Sequence, residues 1–135
     1  MTGLTKEIID MLEQAPFAIL STATPEGIPN AVPIGAKKIL DSKTILLSDQ
    51  FFNKTLANMN ANPRVSLTFW LDHAGYQVKG SVTIETTGPR YEETVKWIEE
   101  MGKKMGVPLA SKGAVILNVE EVYSIGGPDS GRRLI

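Results

Sequence analysis

The sequence predicts a mainly β domain of antiparallel strands with flanking helices, and three observations carry that expectation. Two segments alternate apolar and polar residues with the period of a half-buried strand. In residues 64–70, Val65, Leu67 and Phe69 oppose Arg64, Ser66 and Thr68, and in 76–86, Tyr76, Val78, Val82 and Ile84 oppose Gln77, Lys79, Ser81, Thr83 and Glu85. Most of the strand-like runs are separated only by short turns, which suits antiparallel neighbours. Two other segments repeat apolar residues at helical spacing, one ahead of the strands and one ahead of the last of them.

Each element has a local cause. Leu4, Ile8, Met11 and Leu12 lie on one helical face with Lys6, Glu7, Asp10 and Glu13 opposite, so a helix is expected within residues 1–13, ended by Pro16. Residues 17–23 form an apolar run of strand length, and Thr24-Pro25-Glu26-Gly27 has Pro and Gly where a type I turn uses them. The return strand, 28–40, contains Pro29, Pro33 and Gly35, which a central strand does not normally accept. An edge or bulged strand is one reading, and backbone laid bare for a flat ligand is the other. A turn at 41–43 leads to a buried strand over 44–48. Gly80 falls on the apolar face of 76–86, which implies close backbone approach or a bulge. Gly88-Pro89 opens a second helix with Glu92 and Glu93 in its early turns, Lys103 and Lys104 in its last, and Tyr91, Val95, Ile98, Met101 and Met105 as its apolar stripe. Plain packing accounts for that stripe and for Trp97. Residues 113–119 return to strand, giving helix, five strands, helix and a last strand. The tail, 126–135, is rich in Gly and Pro and ends in Arg132-Arg133-Leu134-Ile135, and termini of this kind are commonly frayed and solvated.

Composition narrows the function. With 135 residues and 42% apolar side chains, the chain is read as a single domain spanning 1–135, large enough to bury ~65–70% of its unfolded surface. No cysteine is present, which excludes disulfides, thiolate nucleophiles and iron–sulfur ligation. The single histidine, His73, reads as a turn residue, so no metal site is expected. A net charge of −1 gives no long-range attraction for nucleic acid. Neither a secretory leader nor a long apolar run is visible, so a cytoplasmic protein with no membrane partner is expected.

The stretch most suggestive of function runs from Ile45 to Met59, where a strand hands over to a polar loop and then to a short helix. Asn53 is a favoured N-cap residue and Asn62-Pro63 stops the helix, so the open amides fall near Lys54, Thr55 and Leu56. Such a helix start carries roughly +0.5 of an elementary charge and suits a phosphate, although an ordinary capped helix with a solvated lysine has the same residues.

Ser48-Asp49-Gln50-Phe51-Phe52-Asn53-Lys54-Thr55 and its continuation to Leu67, together with Thr24-Pro25-Glu26-Gly27 and the strand after it, resemble the FMN-binding split-barrel proteins, the pyridoxamine 5′-phosphate oxidase superfamily. The resemblance covers roughly residues 14–125. It implies an antiparallel split β-barrel that binds FMN at a homodimer interface. Ala31, Val32, Pro33 and Ile34 would line the flavin, Lys54 and Thr55 would hold the phosphate, and Ser48, Asp49, Gln50 and Asn58 would lie near the ribityl-phosphate. Lys79 would either reach the flavin or face water. No nucleophile with a paired base is evident and no catalytic residue is named, so the chemistry would be the flavin's. The expectation is a small oxidoreductase or electron-transfer flavoprotein with a small-molecule redox partner. In some members of the resembling family such a C-terminal tail lies over a neighbouring subunit's ligand, which is the other reading of 126–135. The substrate-binding tail of the oxidase itself has no match in 132–135. A non-catalytic flavin- or haem-binding module and a deazaflavin-dependent reductase of the same fold are the alternatives.

Overall fold

In a computed structural model, which describes residues 3–135, seven strands form one antiparallel sheet in the order β2-β1-β5-β6-β7-β4-β3. The elements are α1 (Lys6–Gln14), β1 (Ala18–Ala23), β2 (Pro29–Ile34), β3 (Lys37–Asp41), β4 (Thr44–Asp49), α2 (Lys54–Ala61), β5 (Arg64–Leu71), β6 (Ala74–Glu85), α3 (Pro89–Met105) and β7 (Gly113–Ile125). Of the helix expected within 1–13, residues 1 and 2 lie outside the described residues. No helix among the described residues is long and apolar enough to cross a membrane.

The expected single return strand is two strands, β2 and β3, and they form opposite edges of the sheet. Only Gly35 and Ala36 separate them. Three Cα steps reach at most ~11 Å, whereas the edges of a flat seven-stranded sheet would stand ~29 Å apart. The sheet therefore curls until its edges nearly meet, and the chain itself crosses the remaining gap. The amide of Ser48 donates to the carbonyl of Ala36 (3.2 Å), fastening the crossing to β4. The result is a barrel split along one seam. Pro29 and Pro33 sit on edge strand β2, where a missing donor costs least and blocks further pairing.

Inside the barrel, Leu20, Ile45, Leu47, Leu67, Phe69, Val78, Leu117 and Val122 are buried, with Ile8 and Leu12 of α1 and Met59 of α2 in the same cluster. Five successive residues of β4, Ile45 to Asp49, are buried because its other face is covered too. There Leu46, Ala114 and Ile116 pack against Trp97 of α3, as a packing role for that tryptophan requires. Lys37 Nζ donates to the carbonyl of Ala15 (2.5 Å) just past α1, and burial lowers its pKa.

The stripe expected on α3 is corrected in phase. Its buried line is Thr94, Ile98 and Gly102, while Met105 is 65% exposed. Gly106 adopts a left-handed conformation (φ 74°), and the amides of Gly106 and Val107 return to the carbonyls of Lys103 and Gly102 (3.3 and 3.0 Å). This reversal drives residues 107–109 across the helix at Gly102, where a Cβ would stand 2.6 Å from the Val107 carbonyl oxygen. The tail folds back along β7 through backbone bonds, while residues 126–134 stay exposed. Leu134 N donates to Val122 O (2.7 Å), Ser124 N to Arg132 O (2.9 Å), and Arg133 faces Glu121 at 3.6 Å.

Gly80 meets both expectations made for it. The β6–β7 register shifts between Lys79 and Gly80, and a Cβ at Gly80 would overlap the backbone carbonyl of Asn118. Backbone cannot swing aside as a side chain can, so Gly80→Ala is expected to lower stability by ~3 kcal/mol, read as a reduced urea midpoint. An unchanged midpoint would refute the close approach.

Candidate functional site

A cleft of about 480 Å³ opens at the seam of the barrel. Its floor is Val32, Pro33 and Ile34 of β2 with the crossing residues Gly35 and Ala36, and Ser48 closes it from β4. Phe51 and Phe52 border it from the loop before α2, and Met101, Met105 and Leu109 border it from α3 and the segment beyond. The volume falls within the range of small-molecule sites, ~300–1,000 Å³. The walls are mostly apolar, with Ser48 and Gln50 as the polar side chains, so the lining suits the faces of a flat ring and leaves those two groups for its polar atoms. A second apolar hollow of about 400 Å³ shares Pro16, Phe17 and Pro33 with the first and continues to Trp70.

Beside this cleft the chain runs through Phe51 and Phe52 into α2. Asn53 occupies the N-cap position but makes no side-chain cap, which corrects the expected capping role. The carboxylate of Asp49 instead accepts from the amide of Phe52 (3.0 Å), folding the loop just before the helix. Among the described residues the amides of Lys54 and Leu56 have no hydrogen-bond partner, while Thr55 N donates to Phe52 O (2.7 Å). The uncapped helix start, with the exposed Lys54 beside it, fits an anion at the rim of the cleft. Asn53 has φ 43° and ψ −103°, a backbone conformation that glycine adopts far more readily than other residues.

The structure brings Val32, Pro33, Ile34, Ser48 and Gln50 together in one cavity. Ala31 lies exposed on the edge strand outside the lining, and Asp49 is buried beneath the loop that it organises. Thr55 and Asn58 lie on the inner face of α2 rather than at its mouth. Thr55 is 1% exposed and its Oγ1 accepts from Asn30 Nδ2 (3.0 Å), while Asn58 Nδ2 donates to Thr22 Oγ1 (3.0 Å). Lys79 stands over the ring of Tyr123, 5.2 Å from its centroid, on the β6–β7 surface. His73 is in the β5–β6 turn, as expected. Among the described residues no three His, Asp or Glu side chains converge on a point where a cation would sit.

Several residues at the site carry no signal in the sequence. Ser111 accepts from Ser48 Oγ (2.8 Å) and donates to Gly113 O (3.1 Å), and its carbonyl accepts from the Tyr91 hydroxyl (3.3 Å). With Lys112 N donating to Asp49 O (2.6 Å), these bonds fasten the segment after α3 to the end of β4 beside the cleft. A serine in a short loop between a helix and a strand shows none of this locally. Met101 and Met105 belong to the helical stripe read as packing, yet they form one wall of the cavity.

A family model described as pyridoxamine 5′-phosphate oxidase matches residues 4–126. Uncharacterized protein MJ0282 of Methanocaldococcus jannaschii is 36% identical over 133 residues, which cover 96% of this chain and 86% of that one. The crystal structure of HupZ from Group A Streptococcus superposes with a TM-score of 0.82 at 25% identity, covering 98% of this chain and 99% of that chain. An FMN-binding protein from Syntrophomonas wolfei shares the fold at a TM-score of 0.75 and 14% identity, covering 90% of this chain and 88% of that one.

The backbone at Asn53 generates a test. Asn53→Gly is expected to raise stability by ~1 kcal/mol, the relief of strain outweighing glycine's greater freedom in the unfolded chain, whereas Asn53→Val should lower it. Thermal unfolding of both variants measures this, and a glycine variant less stable than the parent would show that residue 53 is unstrained.

Proposed function

We propose that this chain, which belongs to the pyridoxamine 5′-phosphate oxidase family and has its split β-barrel fold, is a small FMN-binding oxidoreductase or electron-transfer protein that works as a homodimer. The observation that carries the reading is the junction of two unlike surfaces. A ring-sized apolar cleft abuts a loop that ends in an uncapped helix start with Lys54. That pairing suits a flat aromatic ring joined to a phosphate, and the family match favours FMN as the molecule that combines them.

In this reading Val32, Pro33 and Ile34 hold one face of the ring, and Phe51, Met101, Met105 and Leu109 exclude water around it. Ser48 and Gln50 orient its polar atoms or the ribityl chain. Lys54 Nζ and the amides of Lys54 and Leu56 hold the phosphate. Thr55 and Asn58 serve from behind, by holding the helix. FMN, when bound, supplies the electron transfer, and the protein binds, orients and shields it.

What surrounds the cleft supports a dimer. Phe17 (60% exposed), Phe51 (74%), Trp70 (48%) and Met105 line the two adjoining apolar hollows. Large exposed aromatics gathered around an open cleft are costly to leave in water. A second copy related by a twofold axis would cover them, at a standard interface size of ~1,600 Å².

The absorption spectrum of the purified protein, then calorimetric titration with FMN and riboflavin, tests the cofactor. Lys54→Ala should weaken FMN ~10- to 100-fold while leaving riboflavin unchanged. No flavin binding, or equal losses for both ligands, would overturn the cradle. Sedimentation across micromolar and nanomolar protein tests the assembly, with FMN expected to shift the equilibrium toward the dimer. A protein that remains monomeric at micromolar concentration with FMN bound would refute it.

A further inference from the structure

Helix α2 is held in an unusual way for an element that presents a binding site. Its buried residues are Thr55, Asn58 and Met59, so two of the three are polar. Apolar contact is non-directional and leaves a short helix free to tilt, whereas hydrogen bonds fix both distance and angle. The bonds that do so converge on Asn30 and Thr22. Asn30 Nδ2 donates to Thr22 Oγ1 (3.2 Å) and to Thr55 Oγ1 (3.0 Å), which uses both protons of one amide. Asn58 Nδ2 donates to the same Thr22 oxygen (3.0 Å). Thr22 belongs to β1, Asn30 to β2, and Thr55 and Asn58 to α2, so the network ties the helix to both strands of one hairpin.

Asn30 is on the strand that supplies Val32, Pro33 and Ile34 to the cleft, and Thr55 is the residue after Lys54. We infer that Asn30 is a positioning residue that sets the separation between the apolar wall of the cleft and the anion cradle at the start of α2, and thereby selects a phosphorylated flavin over its dephosphorylated form. This rests on the FMN reading above. Met59, the apolar anchor, lies five residues from Lys54, ~7.5 Å along the helix axis. A tilt of ~10° about that anchor would move the amide of Lys54 by ~1.3 Å and that of Leu56 by ~0.8 Å, enough to spoil their geometry toward a phosphate whose ring is already seated. Loss of the Asn30 bond therefore affects the phosphate end of the ligand and spares the ring.

The test uses three variants of the full chain: Asn30→Ala, Thr55→Val, which keeps the shape and removes the acceptor, and Thr55→Ser, which keeps the acceptor. Calorimetric dissociation constants for FMN and riboflavin are measured with the urea midpoint of each variant. Asn30→Ala and Thr55→Val are expected to weaken FMN ~10-fold and riboflavin less than ~2-fold, and Thr55→Ser to retain the parent's FMN preference. A purely structural role would lower the urea midpoint and leave the FMN-to-riboflavin ratio alone. If Asn30→Ala fails to fold, the Thr55 pair decides the question. An unchanged ratio in Thr55→Val, or an equal loss for both ligands, overturns the inference. Failure of the underlying reading has a different signature: the parent protein would show no FMN preference, or Lys54→Ala would keep it. A preference lost in Lys54→Ala but kept in Thr55→Val overturns only the role of Asn30.

Discussion

The structure depends on one short piece of chain, residues 35–36, which joins the two edges of a seven-stranded sheet. A connection of ~11 Å cannot span the ~29 Å of a flat sheet, so closure is enforced by covalent geometry as well as by the core. The closure is incomplete because the crossing chain cannot at once bridge the edges and extend a ladder between them. A seam remains, and the cleft lies along it: Gly35 and Ala36 are the crossing itself, Ile34 ends the strand before it, and Ser48 is the β4 residue whose amide fastens it. Binding space is thus a by-product of how the barrel closes.

What stands at either end of that seam is held by different forces. The barrel wall is set by apolar packing of β1, β4, β5, β6 and β7 around a continuous core. The helix beside the cleft is set by amide-to-hydroxyl bonds at Thr22, Asn30, Thr55 and Asn58. No buried side-chain polar atom among the described residues lacks a partner, so this polar network carries no unsatisfied group. Each neutral bond contributes only ~0.5–1.5 kcal/mol net, yet a replacement that leaves one partner buried and unpaired costs ~1–3 kcal/mol. That asymmetry makes the helix position well defined even though its apolar burial is small.

Features written in local backbone chemistry were legible in the sequence. The Pro16 stop, the turn at 24–27, the Gly88-Pro89 helix start and the close approach at Gly80 all follow from what Pro and Gly do to their own backbone. Features decided by distant partners were not. The division of 28–40 into two edges depends on where the sheet ends meet, which no window of residues reveals. Asn53 reads as a cap because its type favours capping, but it is Asp49 that accepts, from the amide of Phe52 just before Asn53. Thr55 and Asn58 are placed near the ligand by the family resemblance, and no local pattern shows that both are buried on a polar inner face of α2. The family pattern also marks Val32, Pro33, Ile34, Ser48 and Gln50, which the structure gathers around one cavity at the seam.

The split has an energetic consequence for assembly. Phe17, Phe51, Trp70 and Met105 together would contribute ~4–8 kcal/mol if a partner covered them, at ~1–2 kcal/mol for each partly exposed side chain. Association itself costs ~4–15 kcal/mol in lost translational and rotational freedom, so these four side chains alone leave a dimer near balance. Phe51 and Met105 also border the cleft, and a flat ligand seated there would hold them in place and extend the apolar surface available to a second copy. The ordering cost of those side chains is then met once for two binding events. In the proposed dimer, ligand and partner would therefore stabilise one another through the same residues, without any change in the barrel core.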